Sequence, residues 1–146
     1  MSAPAAVRAR TAVLAALVAL ALAGCGPSFE APSLAAAVGP VFGNLYVRAQ
    51  LEQGRTGVTR ESLQVTAVCN RGGQNTPNRG PGADWACMVG FNDGDGPFQQ
   101  VLYETTLKPD GCFVADAPPA VVGDATFTDA TGKRRVNPLY VLDGCL

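Results

Sequence analysis

Five cysteines and no histidine decide which chemistry this chain can carry out. Without imidazole, the usual Ser/His and Cys/His nucleophilic arrangements lack their base, and the commonest neutral-pH proton carrier and metal ligand is missing. Cys69, Cys87, Cys112 and Cys145 follow one another at spacings of 18, 25 and 33 residues. None forms the close C-x-x-C pair that holds structural zinc or runs thiol–disulfide exchange. Such spacing reads as a disulfide framework. Cys25 stands apart from the set and makes the count odd.

The remaining candidates are carboxylates. Asn92-Asp93-Gly94-Asp95-Gly96 opens like a calcium loop, yet it lacks the third oxygen ligand at the proper interval and a glutamate at the twelfth position. It reads as a tight turn between strands. Two carboxylates can hydrolyse a glycosidic bond when held about 5 to 9.5 Å apart, and Asp84, Glu104, Asp116, Asp124, Asp129 and Asp143 are available. Solvated charge is the ordinary state of such residues. Gly72-Gly73 and Gly80-Pro81-Gly82 lack the flanking strand and helix of a phosphate-binding loop. These residue types assign no catalytic residue, no cofactor and no metal.

Arg8 and Arg10, with no acid before them, precede an apolar run from Thr11 to Ala23. A short basic region followed by an apolar stretch is the layout of a secretory signal peptide. The run is thirteen residues long, whereas a helix crossing a bilayer needs about 20. It ends in Leu22-Ala23-Gly24-Cys25, which resembles the lipobox of bacterial lipoproteins, where the cysteine receives diacylglycerol and becomes the first residue after cleavage. The resemblance implies a signal peptide over 1–24 and a Cys25 lipidated with acyl chains such as palmitate. It further implies an extracytoplasmic domain held by that lipid at the outer face of the cell membrane.

With Cys25 acylated, four thiols remain, an even set suited to two disulfides in an oxidising compartment. Four cysteines allow three pairings. Cys69–Cys87 is the preferred first pair, because both lie on the apolar phase of consecutive predicted strands. Cys112–Cys145 would then fix the C-terminal segment to the last hairpin. Cleavage before Cys25 removes Arg8 and Arg10 and leaves nine Lys/Arg against twelve Asp/Glu, a formal net charge of −3. A mildly acidic domain has no electrostatic reason to bind nucleic acid. Lys133-Arg134-Arg135 is the one basic run; beside a turn it reads as solvated surface, or as a contact to anionic headgroups if it faces the bilayer.

The elements that must position these groups follow from periodicity. Residues 25–32 read as a tether and 33–146 as a single domain. From Ser33 to Gln53, Leu34, Val38, Val41, Leu45 and Ala49 recur at helical spacing. Gly39-Pro40 predicts a break, with Pro40 in the first turn of the main helix and Gly54 as its stop. The period then becomes two, predicting strands over Leu63–Cys69, Trp85–Phe91, Gln99–Leu107 and Cys112–Ala115. Lys108-Pro109-Asp110-Gly111 is the turn of a hairpin, and Pro118-Pro119 ends it. Between the first two strands, Asn70 to Gly82 reads as an exposed loop of thirteen residues. Ala125–Thr128 is a short candidate strand, and Leu139–Leu142 is a final strand or a packed tail. Trp85, Phe91, Tyr103, Phe113, Phe127 and Tyr140 supply an aromatic core in preference to a ligand groove.

A helix followed by an antiparallel sheet of about four to five strands predicts an α+β fold with the helix on one sheet face; a small β-sandwich or β-roll is the alternative. The helix-then-meander order, the Trp85-Ala86-Cys87 strand and the Asp110-Gly111-Cys112 turn resemble cystatin-like domains of small lipoproteins in high-GC Gram-positive bacteria. Function is expected to be non-enzymatic: binding or interaction in the cell envelope with a protein or a small ligand, through an exposed apolar patch beside the Asn70–Gly82 loop. An accessory subunit of an envelope complex, with a flat or edge-strand interface, and a carboxylate-dependent hydrolase are the alternatives.

Overall fold

The computed structural model describes residues 29–73, 75–94 and 96–146. The proposed signal peptide and Cys25 lie outside these residues. Helix α1 (Ala31–Glu52) is followed by a single-turn α2 (Arg60–Leu63), then by strands β1 (Thr66–Arg71), β2 (Gly82–Phe91), β3 (Gln99–Leu107) and β4 (Cys112–Asp116). A short α3 (Pro119–Val122), a small hairpin of β5 (Thr126–Thr128) and β6 (Arg134–Val136), and β7 (Val141–Cys145) complete the chain. The main sheet is antiparallel with order β1-β2-β3-β4-β7, and β5-β6 forms a separate two-stranded ribbon. This is the expected α+β architecture, a helix on a five-stranded antiparallel sheet, and no sandwich is formed among the described residues.

Alternation builds the sheet's covered face. Trp85, Cys87, Val89 and Phe91 on β2, and Val101, Tyr103, Thr105 and Leu107 on β3, are all buried. Against them α1 lays Leu34, Val38, Phe42, Tyr46 and Ala49, a stripe that advances by four residues and then three. Val41 and Leu45 flank that stripe and are only partly buried. Phe42 packs on Phe91 with ring centroids 4.9 Å apart and on Tyr103 at 6.2 Å. The Tyr103 hydroxyl, deep in the core, donates to the Leu139 carbonyl at 2.9 Å.

Three local expectations are corrected. The helix does not restart at Pro40 but runs through it and takes in Ala31 and Pro32, placed in the tether by sequence. Pro40 is exposed, so the Ala36 carbonyl that loses its helical donor lies on the solvent side. The strand expected from Leu63 begins at Thr66, because Thr59 and Ser62 cap each other reciprocally and close Arg60–Leu63 into a helical turn. Third, the segment after the Thr131-Gly132 turn is a strand not expected from sequence: Arg134 and Arg135 lie in β6, paired with β5, and the basic run is exposed beside that turn as expected. Gly54 stops α1 as expected, with φ +84, and Arg55 N–H returns to the Gln50 carbonyl at 2.8 Å.

Candidate functional site

Both expected disulfides are formed. Cys69–Cys87 joins directly opposed residues of β1 and β2, and Cys112–Cys145 does the same for β4 and β7. They lie on opposite sheet faces: Cys69 and Cys87 are buried under α1, whereas Cys145 is exposed.

The loop between β1 and β2, shorter than expected at 72–81 because Asn70 and Arg71 join β1 and Gly82 joins β2, is organised by a side chain that sequence reading passed over. Arg71 at the end of β1 holds Asp84 through two nitrogens, Nε at 2.9 Å and Nη2 at 2.6 Å. Its Nη1 donates to the Arg79 carbonyl, its backbone N–H to Asn78 Oδ1, and its guanidinium lies 5.8 Å from the Trp85 ring. The Arg71 bonds hold the Asp84 carboxyl below its usual range. Trp85 Nε1 donates to the Gly80 carbonyl, Gly80 N–H to that of Phe29, and Ala31 N–H to that of Asn78. The loop is thereby fastened to the chain entering α1. Opposite charges flanking a Gly/Pro-rich stretch were the sequence signal for this anchor.

Among the described residues, three surfaces matter here: the open sheet face, a hollow between α1 and the β5–β6 ribbon, and a trough beside β1. The face of the sheet opposite α1 carries Val68, Met88 and Leu102 in one cross-strand row, with relative exposures of 64%, 37% and 44%. The Phe98 ring, 54% exposed, lies over Gly90, where only a hydrogen leaves room for it. The next row reads Asn70, Ala86, Glu104, Asp116 and Val141, and Asp143 follows opposite Val114. Glu104 and Asp116 are therefore direct cross-strand neighbours, both exposed, at the rim of a hollow of about 280 Å³ shared with Leu102, Ala117 and Pro118.

The other candidate carboxylates are dispersed. Asp84 is held by Arg71. Asp124 borders a separate hollow of about 290 Å³ between the far half of α1 and the β5–β6 ribbon. Asp129 is the buried centre of that ribbon: Oδ1 accepts from the Thr131 hydroxyl at 2.6 Å and from the backbone N–H of Thr131 and Lys133, and Oδ2 from Arg135 Nε at 2.8 Å. The Thr131 hydroxyl first, then Arg135, holds its carboxyl well below the usual range. Arg134 Nε donates to Thr126 Oγ1, so two of the three basic residues are engaged in their own ribbon. In the Asn92–Gly96 turn, Asn92 Oδ1 accepts from Gly94 N–H, Asp93 faces Tyr46 and Arg55, and Asp95 lies outside the described residues. Among the described residues no group of three or more acidic or sulfur ligands converges on one point.

The third surface is a trough of about 600 Å³ between α1 and the edge strand β1. Pro32, Ala35, Ala36, Gly39, Pro40 and Gly43 form its helix wall; Val65 and Ala67 form the strand wall, with Arg60 and Glu61 at one end. A Cβ on Gly39 would stand 3.5 Å from that of Ala67, and one on Gly43 3.4 Å from Val65 Cγ2. The two glycines, one turn apart, thus let helix and edge strand approach closely. Sequence reading treated Gly39 only as part of a helix break, although the Gly39-x-x-x-Gly43 spacing is itself a signal of close packing.

No family model, no curated protein and no solved structure matches the chain. Its surfaces are therefore read on their own chemistry.

Proposed function

We propose that the chain is a lipid-anchored, non-enzymatic interaction module of the cell envelope, held by Cys25 and binding an envelope component through the open face of its sheet. The apolar row on that face supports the reading. A solvated sheet face alternates to polar residues, whereas Val68, Met88, Leu102 and Phe98 present large apolar side chains there. Glu104 and Asp116 stand in the next row and Asp143 one row beyond, while Lys108, the cation on the same phase of β3, lies at the far hairpin end. The fitting partner surface is apolar with a basic rim.

Gly26, Pro27 and Ser28 separate Cys25 from Phe29, a reach of at most about 14 Å, so the N-terminal end of α1 is the membrane side. The β5–β6 ribbon meets the other end of α1, where Ala130 N–H donates to the Glu52 carbonyl, about 33 Å away along a helix of 22 residues. The Lys133–Arg135 run therefore points away from headgroups in an upright domain.

Two measurements test this reading. Mass spectrometry of the native mature protein is expected to find acylated Cys25 as the first residue; an unmodified Cys25 or another start would refute the anchor. Photo-crosslinking residues at Met88 and Leu102 in intact envelopes should capture the same partner, and one at Asn44, exposed on α1, should not; indiscriminate labelling from all three sites counts against the open face. The reading as an accessory subunit draws on a different observation, the free edge of β1.

A further inference from the structure

The geometry points to a peptide-binding site along the edge of β1, where an extended polypeptide segment from another protein adds a sixth strand to the sheet. β1 is an outer strand, and its unpaired groups can be located. Gly72 N–H donates to the Asp84 carbonyl across the ladder, whereas Arg71 N–H turns away and meets Asn78 Oδ1. N–H and C=O alternate sides along an antiparallel strand, so those of Cys69 and Ala67 also point outward. Among the described residues, no turn, loop or side-chain bond reaches them.

Edge strands are ordinarily blunted by lysine, proline, a bulge or an inward charge. Thr66-Ala67-Val68-Cys69-Asn70 has none of these; only the last position is closed, by the inward charge of Arg71 held by Asp84 and by Asn78 on its outward N–H. The other edge, β7, carries Asp143 in mid-strand. The adjoining trough defines the occupant further. From Pro32 to Gly43 it follows α1 for eleven residues, about 17 Å at 1.5 Å per residue, the length of about five extended residues at 3.3 Å each. Its side walls are the small side chains of Ala, Gly, Pro and Val, with polar surface between them and Arg60 and Glu61 at one end; the space they leave fits bulky side chains on alternate residues of the incoming strand, apolar where they meet the side walls. The Ala36 carbonyl, deprived of its donor by Pro40, offers an acceptor on the helix wall. Main-chain bonds to an edge with alternate side chains in pockets is a general mode of peptide recognition.

This site is distinct from the open face and independent of lipid on Cys25. Panning a displayed library of random octapeptides on the full chain in detergent micelles tests it. Enriched sequences should carry bulky apolar residues at every second position. Recovery should fall at least tenfold on Ala67→Pro, where proline removes only an outward N–H, and on Ala36→Leu, which fills the trough from an exposed helical position. It should persist on Leu102→Lys, which disrupts the open face alone. Far-UV circular dichroism and Trp85 fluorescence establish that each variant is folded. Absence of enrichment on the wild type, or equal recovery on all four proteins, overturns the proposal. So does sedimentation of the wild type as a dimer that Ala67→Pro converts to monomer, since a second copy would then occupy the edge.

Discussion

The two faces of the main sheet share the same strands and differ in what meets them. On the covered face, Cys87, Val89, Val101, Tyr103 and Leu107 close against α1 with exposures of 0 or 1%. On the open face, Met88 and Leu102, one residue away along the same strands, remain 37% and 44% exposed. Pleating alone explains the alternation; it does not explain why the outward residues are apolar. The covered face is chosen by folding, and its apolar residues have a partner in α1. The open face has the same kind of residue without a partner in the described chain, with acids in the next row, and the proposed binding role rests on this asymmetry.

Truncation in pairs across the pleat breaks the comparison most sharply. Phe42→Ala removes a fully buried ring that touches Tyr46, Phe91 and Tyr103, and should cost about 3 to 5 kcal/mol in chemical denaturation. Leu102→Ser on the open face should change stability by no more than about 0.5 kcal/mol, yet diminish crosslinking to the partner. A large stability loss at Leu102 would mean that the open face is covered in the native protein.

The disulfides repeat the contrast. Replacing either pair by alanine should lower stability by about 3 kcal/mol, from closed loops spanning 18 and 33 residues. Reduction should separate them. Mild thiol reagent reaches the exposed Cys145 before the buried Cys69 and Cys87, so alkylation and mass spectrometry should label Cys112 and Cys145 first. Simultaneous labelling would show that the covered face opens as readily as the exposed one.

How much of this was legible in sequence follows from the same alternation. Period two in Gln99–Leu107 marks β3 with its bounds and its buried face, and the apolar phase of Cys69 and Cys87 places that pair correctly. Misreadings fall where local chemistry competes with pattern. Pro40 looked like a break because its cost is local, but one lost hydrogen bond facing solvent is outweighed by the continuous packing of Leu34, Val38, Phe42 and Tyr46. Leu63 kept the strand's phase while Thr59 and Ser62 closed a helical turn around it. The trough was illegible because it is made by what small residues leave empty, and the Glu104–Asp116 pairing because it depends on register between strands.

The β5–β6 ribbon sharpens the comparison from outside, since all three residues of β6 are exposed and little apolar packing holds it. Asp129 does so instead, accepting from Thr131, Lys133 and Arg135. Because its folded pKa is depressed, the carboxylate contributes stability above the ordinary aspartate value of about 3.9, and loses it as pH falls through the lower folded value. Amide exchange of Thr131 and Lys133 should therefore stay slow on acidification to about pH 4 and accelerate only below it. Asp129→Asn should accelerate exchange already at neutral pH.

The smallest expected effect lies on the open face itself. Glu104 and Asp116 oppose one another across β3 and β4, and like charges in that position destabilise a sheet, by about 0.2 to 1 kcal/mol. Glu104→Gln should therefore raise stability by that amount at low salt, with the gain shrinking as ionic strength screens the pair. If the acids serve a partner with a basic rim, the same substitution should weaken open-face crosslinking while strengthening the fold. Stability and binding would then move in opposite directions at one residue, whereas a position that merely tolerates its charge would move stability alone.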